Sequence, residues 1–175
     1  YIDASVINNI DVIIRVTADC PFVSSEIASL LIESHFKEGA DYTAAKNFSV
    51  GTSCEIINLS ALKKVQGYFK NAEYSEYMTW YFQNNPNIFN LNIVKLPKEL
   101  IRNYRLTLDY NEDLKMFDKL VEGIGHNNLN TKKIFNFLDK RPEISQINSK
   151  SVLTYITDKN LIRTLNKNTK IKNNK

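Results

Sequence analysis

The feature that most constrains the fold is a short and almost uninterrupted apolar run, IDVIIRV, over residues 10–16. Its length and its β-branched residues predict a strand buried on both faces, as parallel sheets require. Ser24 is placed to cap a following helix that ends at Gly39. A second strand is expected over residues 41–45. Because strand, helix and strand joined by short links make a βαβ unit, the sequence predicts an α/β fold.

The rest of the chain alternates between short apolar segments and segments with helical periodicity. Three further strands are expected, over residues 54–58, 89–96 and 104–108. Helices are expected over residues 60–69, 75–82, 111–124 and 131–139. No internal repeat is visible, and the length suits one domain. We therefore interpret residues 1–157 as the C-terminal part of a single domain.

Composition excludes several classes of protein. With 5 Gly and 4 Pro in 175 residues, the chain is neither collagen-like nor a Gly/Pro-rich disordered chain. No stretch of about 18 apolar residues occurs, so no membrane span is expected. Two cysteines, Cys20 and Cys54, cannot make a disulfide scaffold. Since there is also no secretory-type start, we expect reduced thiols and a cytoplasmic location.

The positive charge of the chain is concentrated at its C-terminal end. The formal net charge is +4, but residues 158–175 hold six basic residues and one acidic residue. The remainder is close to neutral, with 17 basic and 18 acidic side chains. We interpret residues 158–175 as a Lys/Asn-rich flexible tail. The tail has no interleaved aromatic residues, so nucleic-acid binding is not expected, and a basic-tailed protein that binds an anionic polymer stays an alternative.

Two carboxylates occupy equivalent places in the expected fold. Asp19 and Asp109 each follow directly on an apolar strand and precede a turn and a helix. In open α/β sheets, ligands bind in the crevice outside the carboxyl ends of the strands. Two acids meeting there suit Mg²⁺, which takes one or two protein carboxylates and leaves its other positions to water and phosphate oxygens. Asp is also common at such junctions as a helix cap or in an Asx turn, and this alternative stays open.

Several short segments occur in a characteristic order between residues 10 and 124. They are IRVTADCP at 14–21, Asp41-Tyr42, GTSCE at 51–55, Glu76 with Thr79, and RLTLD at 105–109 followed by EDL at 112–114. In this order and spacing the segments resemble the sugar cytidylyltransferases, the CMP-sugar synthetases. The similarity is closest to the branch of that family that serves spore-coat polysaccharide biosynthesis.

The resemblance implies a fold, a reaction and a cofactor. The implied fold is the three-layer, Rossmann-like nucleotide-diphospho-sugar transferase fold with a mixed, mainly parallel sheet. The implied reaction activates a sugar or sugar acid with CTP, giving a CMP-sugar and pyrophosphate for cell-surface polysaccharide biosynthesis. The acids that match Asp19 and Asp109 hold Mg²⁺ in that family, and its members are commonly homodimers. Positioning and charge stabilisation are then expected to account for most of the catalysis. A catalytically inactive α/β interaction domain stays an alternative.

Four further residues are candidates for substrate binding: Arg15, Glu55, Glu76 and Arg105. Arg15 lies within an apparently buried strand, so it is expected either to reach a substrate phosphate or to pair with an acid such as Glu55. Arg105 is close in sequence to Asp109, which allows a role at the same site. Glu55 opens a strand that faces the expected crevice, where it can hydrogen-bond sugar hydroxyls.

The chain also departs from the family pattern. The basic loop that cradles the phosphates is not found in these residues and is expected upstream of Tyr1, so we interpret the chain as N-terminally truncated. Because a triphosphate needs backbone amides and cations around it, we expect these 175 residues alone to bind CTP poorly. Ser75-Glu76-Tyr77 stands where the family often has Arg-Glu-His, which leaves the identity of the sugar open.

Overall fold

A four-stranded mixed sheet is the centre of the protein in a computed structural model, which describes residues 1–69, 73–151 and 157–172. The strands follow the order β1-β3-β2-β4. Strand β3 pairs antiparallel with both β1 and β2, whereas β2 and β4 are parallel, so β1, β2 and β4 share one direction. The strands are β1 (Val12–Arg15), β2 (Tyr42–Lys46), β3 (Glu55–Asn58) and β4 (Leu91–Lys95).

Helices surround this sheet and extend beyond one end of it. Three short 3₁₀ turns cover Ser75–Tyr77, Lys98–Leu100 and His126–Asn128. The described α-helices are α1 (Ile2–Ile7), α2 (Ser25–Glu38), α3 (Leu59–Tyr68), α4 (Thr79–Gln83), α5 (Asn111–Ile124), α6 (Thr131–Lys140), α7 (Pro142–Ser145) and α8 (Lys159–Asn168). Within the described ranges, none of them has the length and apolar composition that crossing a membrane requires.

Both faces of the sheet are covered, which gives three layers. On one face, Tyr42 and Ile57 pack with residues of α3 and α4, and the Tyr42 ring stacks on Phe82 with the ring centroids 4.9 Å apart. On the other face, Ile56 packs against Ile27 of α2. Residues on neighbouring positions of one strand point to opposite faces, so β3 contributes to both cores. The α/β fold with a mixed sheet is confirmed.

A separate core lies beyond the end of the sheet, among α5, α6 and α7. Leu120 of α5 and Leu138 of α6 are both fully buried in it. Phe22 and Leu106 insert into this core from two loops, and the Phe22 ring meets Phe117 edge-on with the centroids 4.7 Å apart. These two loops are the ones that carry Asp19 and Asp109, so this core anchors the candidate site.

Most of the expected elements are present, with bounds shifted by one or two residues. The helix that begins after Ser24 is α2, with the Ser24 hydroxyl accepting the Ile27 N–H at 3.2 Å and Gly39 in the left-handed conformation at φ 55°. The expected aromatic helix over residues 75–82 is instead a 3₁₀ turn followed by the short helix α4.

Two expectations about strands are wrong. The first strand is not buried on both faces, because β1 lies at an edge of the sheet and Ile14 is 51% exposed. Residues 104–108 do not form a regular strand among the described elements, since Arg105 makes only an isolated parallel bridge with Val50. This segment is a loop between the sheet and α5, held by the contacts described below.

Residues 158–172 are ordered against the rest of the protein, in contrast to the flexible tail expected from their composition. Asp158 caps α8 by accepting the N–H groups of Asn160 and Leu161. Leu165 and Thr169 are fully buried, and the Thr169 carbonyl accepts a hydrogen bond from the Asn85 amide at 2.8 Å. A few apolar and polar anchors are therefore enough to dock a helix whose outer face is basic. Residues 173–175 lie outside the described residues.

Candidate functional site

Asp19 and Asp109 come together at two neighbouring loops beyond the sheet. The N–H of Leu108 donates to the carbonyl of Asp19 at 2.8 Å. The Thr107 hydroxyl donates to the Asp19 carboxylate oxygen Oδ2 at 3.0 Å. Asp109 therefore follows directly on two residues that contact Asp19. These two hydrogen bonds bring the loop of Asp109 next to Asp19, as expected from the equivalent places of the two acids in the fold.

A close backbone approach fixes the position of the second loop. The N–H of Leu106 donates to the carbonyl of Val50 at 2.7 Å. Gly51 lies beside this contact with φ 89°, and a Cβ atom built there would be 2.1 Å from the Leu106 carbonyl oxygen. Only glycine fits this position, since it tolerates the positive φ and leaves room for the neighbouring backbone. The GTSCE segment thus serves as a support for the loop that carries Asp109.

A buried ion pair adjoins Asp109. Arg105 donates from Nε to Oδ1 of Asp113 at 2.8 Å and from Nη2 to Oδ2 of Asp113 at 3.0 Å. Its Nη2 also donates to Oδ2 of Asp109 at 2.5 Å. The Asp113 side chain is fully buried, whereas that of Asp109 is 40% exposed. The Asp109 carboxylate is therefore accessible to a ligand, whereas the Asp113 carboxylate is not.

A second polar cluster lies where β1 ends and the antiparallel strand β3 begins. Arg15 pairs with Glu55 across the two strands, with Nη1 2.5 Å from Oε2. The hydroxyls of Tyr42 and Thr79 both donate to the other Glu55 oxygen, Oε1. Arg15 also donates from Nη2 to the carbonyl of Glu76 at 3.3 Å. Of the two roles considered for Arg15, the pairing with Glu55 is the one present in the structure.

Asp19 has the electrostatic properties of a carboxylate that stays charged. Partial burial raises its pKa, but hydrogen bonds from the Thr17 and Thr107 hydroxyls outweigh this and hold the pKa below its ordinary value. The adjacent thiol behaves in the opposite way, because burial raises the pKa of Cys20. Cys20 is therefore a poor nucleophile here, and its Sγ lies 3.3 Å from the Thr17 hydroxyl.

The donor set at Asp19 and Asp109 fits a hard divalent cation. Each acid uses Oδ2 for a protein hydrogen bond, to Thr107 and to Arg105 respectively. Two partly exposed carboxylates are the number that Mg²⁺ typically takes from a protein. No group of three or more His, Cys, Asp or Glu suited to a metal occurs among residues 1–69, 73–151 and 157–172. The described residues therefore do not provide the full set of protein ligands that Ca²⁺ or structural Zn²⁺ requires.

The six residues proposed from the sequence thus fall into two groups. Asp19, Arg105 and Asp109 form one, and Arg15, Glu55 and the Glu76 backbone form the other. The Glu76 side chain is exposed, and only its carbonyl takes part.

Five polar residues that were given no site role from the sequence complete these groups: Tyr42, Thr79, Thr107, Asp113 and Asn148. The first four lie in the segments that carry the family resemblance. Asp113 was recognisable as an acid in the first turn of α5, where the helix dipole favours it. Asn148 carries no local signal, since its partners Arg105 and Asp113 are 43 and 35 residues away.

Comparisons with known proteins agree with this architecture. The family model described as cytidylyltransferase matches residues 2–136. The chain is 35% identical over 150 residues to the uncharacterized protein MJ1063 of Methanocaldococcus jannaschii, covering 85% of this chain and 62% of that protein. It is 30% identical over 137 residues to the spore coat polysaccharide biosynthesis protein SpsF of Bacillus subtilis, covering 75% of this chain and 56% of that protein.

A solved structure also matches. A cytidylyltransferase from Leptospira borgpetersenii serovar Hardjo-bovis superposes with a TM-score of 0.74 at 25% identity, covering 87% of this chain and 65% of that one. The chain thus spans less than two thirds of the length of each of these proteins. The resemblance seen in the sequence motifs is confirmed, and the chain belongs to the cytidylyltransferase family.

Proposed function

We propose that this chain carries the metal-binding and sugar-facing parts of a cytidylyltransferase that converts CTP and a sugar or sugar acid into a CMP-sugar. In this reaction a sugar hydroxyl oxygen forms a bond to the α-phosphorus of CTP. The bond from that phosphorus to the bridging oxygen breaks, and pyrophosphate leaves. The hydroxyl proton passes to water. The family membership and the similarity to a spore-coat polysaccharide protein support this choice of reaction.

The observation that carries the proposal is the contact between the two acid-bearing loops. Because the Leu108 N–H and the Thr107 hydroxyl both bind Asp19, Asp109 is held next to Asp19 by the backbone itself. In the proposed site, Asp19 and Asp109 hold Mg²⁺. When bound, this ion neutralises charge on the triphosphate and on the leaving pyrophosphate. Both acids are open to solvent on one side.

The second group of residues supports the sugar side of the proposal. Glu55 accepts two hydroxyl hydrogen bonds, from Tyr42 and Thr79, and pairs with Arg15. A carboxylate that already binds hydroxyls has the chemistry to accept sugar hydroxyls, and Arg15 can pair with the carboxylate of a sugar acid. We assign Arg15, Glu55 and Glu76 to sugar binding and Arg105 to the charge balance beside the phosphates.

The experiment measures pyrophosphate release from CTP with Mg²⁺ and a panel of sugar acids, in the gene product that contains these 175 residues. We expect Asp19→Asn and Asp109→Asn each to lower kcat by at least about 100-fold, since each removes a charged ligand. The matched control is Asp118→Asn, an exposed acid on α5 that takes no part in the site. Activity equal to wild type in both site variants would contradict the metal assignment.

Two other expectations from the resemblance stay proposals. A cytoplasmic location fits the two free thiols, Cys20 and Cys54, because reduced cysteines persist there. A homodimer is testable by sedimentation of the same gene product.

The alternative classes are separated by the same preparation. A catalytically inactive interaction domain predicts no pyrophosphate release with any sugar. A protein that binds an anionic polymer through α8 predicts salt-sensitive RNA binding instead. Three lysines near the end of α8, Lys167, Lys170 and Lys172, line an open cavity of about 350 Å³, but this cavity is formed with Tyr68 and Phe69, away from Asp19 and Asp109.

A further inference from the structure

We propose that Asp113 and Asn148 are positioning residues that hold the carboxylate of Asp109 ready for a divalent cation. The inference rests on the metal site of the proposed function. Neither residue is expected to touch the cation, because the Asp113 side chain is fully buried and Asn148 is 1% exposed.

Asp113 is the centre of a buried hydrogen-bond network. Its Oδ2 accepts the backbone N–H groups of Asp109 and Tyr110, each at 2.9 Å. Both of its oxygens also bind Arg105, and Oδ1 accepts the Asn148 amide at 2.8 Å. One buried carboxylate thus receives five hydrogen bonds, two of them from the backbone that carries Asp109. This arrangement determines where that backbone lies.

The same loop also determines the position of Asp19. Between Arg105 and Asp109, the loop donates to Asp19 from the Thr107 hydroxyl and from the Leu108 N–H. Both ends of this five-residue segment are tied to Asp113 through the Arg105 side chain and the Asp109 N–H. Asp113 therefore sets the position of Asp109 relative to Asp19, which is the property that a shared cation depends on.

Asp113 and Asp109 also share the side chain of Arg105. Arg105 makes two hydrogen bonds to Asp113 and one to Asp109, so most of its interaction is with the buried acid. Removal of the Asp113 carboxylate, as in Asp113→Asn, leaves the Asp109 carboxylate to pair with Arg105. Asp109 then becomes a weaker ligand.

Asn148 ties the network to a distant part of the chain. Its amide nitrogen donates to the Arg105 carbonyl at 3.0 Å and to Oδ1 of Asp113 at 2.8 Å. It follows α7 and lies beyond residues 2–136, the span that the family model matches. The C-terminal third of the chain thus contributes to the site through this residue.

The test measures Mn²⁺ affinity from the paramagnetic resonance signal of free Mn²⁺, in the gene product that contains this chain. Mn²⁺ shares the preference of Mg²⁺ for carboxylate oxygens. We expect Asp113→Asn to weaken Mn²⁺ binding by about 10- to 100-fold, the range found for residues that orient metal ligands. Asn148→Ala should weaken Mn²⁺ binding less. If Asp113→Asn does not fold, the Mn²⁺ affinity of Asn148→Ala tests the inference instead. Asp109→Asn and Asp19→Asn are the references for direct ligand loss.

The matched control is Asp139→Asn. Asp139 also holds an arginine with both oxygens, Nε of Arg102 at 3.1 Å from each, and accepts the Tyr104 hydroxyl at 2.6 Å. These partners, Arg102 and Tyr104, lie outside the segment from Arg105 to Asp109, so the loss of Asp139 should leave Mn²⁺ affinity unchanged.

The outcomes separate this inference from the function on which it rests. Mn²⁺ binding by folded Asp113→Asn and Asn148→Ala equal to wild type, while Asp109→Asn loses binding, would overturn the positioning role alone. A lower melting temperature without a change in Mn²⁺ affinity is the same result, because it marks a purely structural role. If Asp19→Asn and Asp109→Asn both bind Mn²⁺ like wild type, the metal site itself is wrong and the inference fails with it.

Discussion

Two arginine–carboxylate clusters, one in the loop before α5 and one at the end of β1, differ in what satisfies the acid. Asp113 is fully buried and binds Arg105, an asparagine and two backbone N–H groups. Glu55 is 15% exposed and binds Arg15 and two side-chain hydroxyls. In the first cluster the acid fixes a backbone segment, whereas in the second the acid binds only side chains.

This difference separates a supporting role from a binding role. A carboxylate whose partners are backbone N–H groups cannot exchange them without moving the chain. A carboxylate whose partners are hydroxyls can exchange them for the hydroxyls of a ligand at little cost, since one hydrogen bond replaces another. We therefore interpret the Asp113 cluster as the support of the metal site and the Glu55 cluster as a binding surface.

The largest expected effect comes from breaking the Asp113 cluster. Asp113→Ala leaves the buried Arg105 charge without its main partner and should lower the free energy of unfolding by about 3–5 kcal/mol. Urea unfolding followed by circular dichroism measures this. Asp139→Ala, which breaks the surface pair with Arg102, should cost at most about 1 kcal/mol. Equal losses in the two variants would show that burial does not distinguish these pairs.

The pH dependence of stability gives a second measure of the same cluster. The pKa of Asp113 is lowered in the folded state, so its contribution is complete above the pKa of an unfolded Asp and is lost as the pH falls through the folded pKa. The unfolding free energy of the wild type should therefore decrease below about pH 4. Asp113→Ala should show a smaller decrease. Parallel pH profiles for the two proteins would contradict this assignment.

Breaking the Glu55 cluster should have a smaller effect on stability and a different effect on function. Glu55→Gln removes the charge that pairs with Arg15 and should cost about 1.5–3 kcal/mol. Because the cluster faces the sugar in our proposal, the KM for the sugar should rise while Mn²⁺ affinity stays unchanged. The control is Glu143→Gln, which removes an equally short but exposed pair with Arg141. A loss of Mn²⁺ affinity in Glu55→Gln would contradict this separation, because it would show that Glu55 also contributes to the metal site.

The smallest expected effect is that of one hydroxyl in the second cluster. Tyr42→Phe keeps the buried ring stacked on Phe82 and removes only the hydrogen bond to Glu55. It should cost about 1 kcal/mol in the unfolding free energy. Tyr104→Phe is the matched control, since the Tyr104 hydroxyl binds the half-exposed Asp139. A loss in Tyr42→Phe no larger than in the control would mean that the hydroxyl is easily replaced by water.

The sequence predicted the elements that local physical chemistry determines. The Ser24 cap and the Gly39 ending of α2 are local signals, and both are confirmed. The exposure of β1 was not predictable in this way, because apolar content does not reveal whether a strand has a neighbour on each side. The docking of α8 was missed for a related reason: one leucine, Leu165, and one threonine, Thr169, anchor a segment whose average composition is polar.

For the candidate site, the sequence singles out the two acids, whose role stays a prediction, but not the residues that support them. Asp19 and Asp109 follow from the rule that ligands bind at strand ends, and the motifs around them match the family. The expected strand over residues 104–108 is a loop, because hydrogen bonds to Val50, Asp19 and Asp113 replace a ladder. The contacts with Val50 and Asp19 join residues far apart in sequence, so no local pattern contains them.

The most direct test of the central claim is the position of a cation in crystals. We propose to soak crystals of the gene product that contains this chain in Mn²⁺ and CTP and to record anomalous diffraction. The account predicts a Mn²⁺ peak within about 2.2 Å of a carboxylate oxygen from each of Asp19 and Asp109. A Mn²⁺ peak bound elsewhere, with neither acid as a ligand, would contradict it.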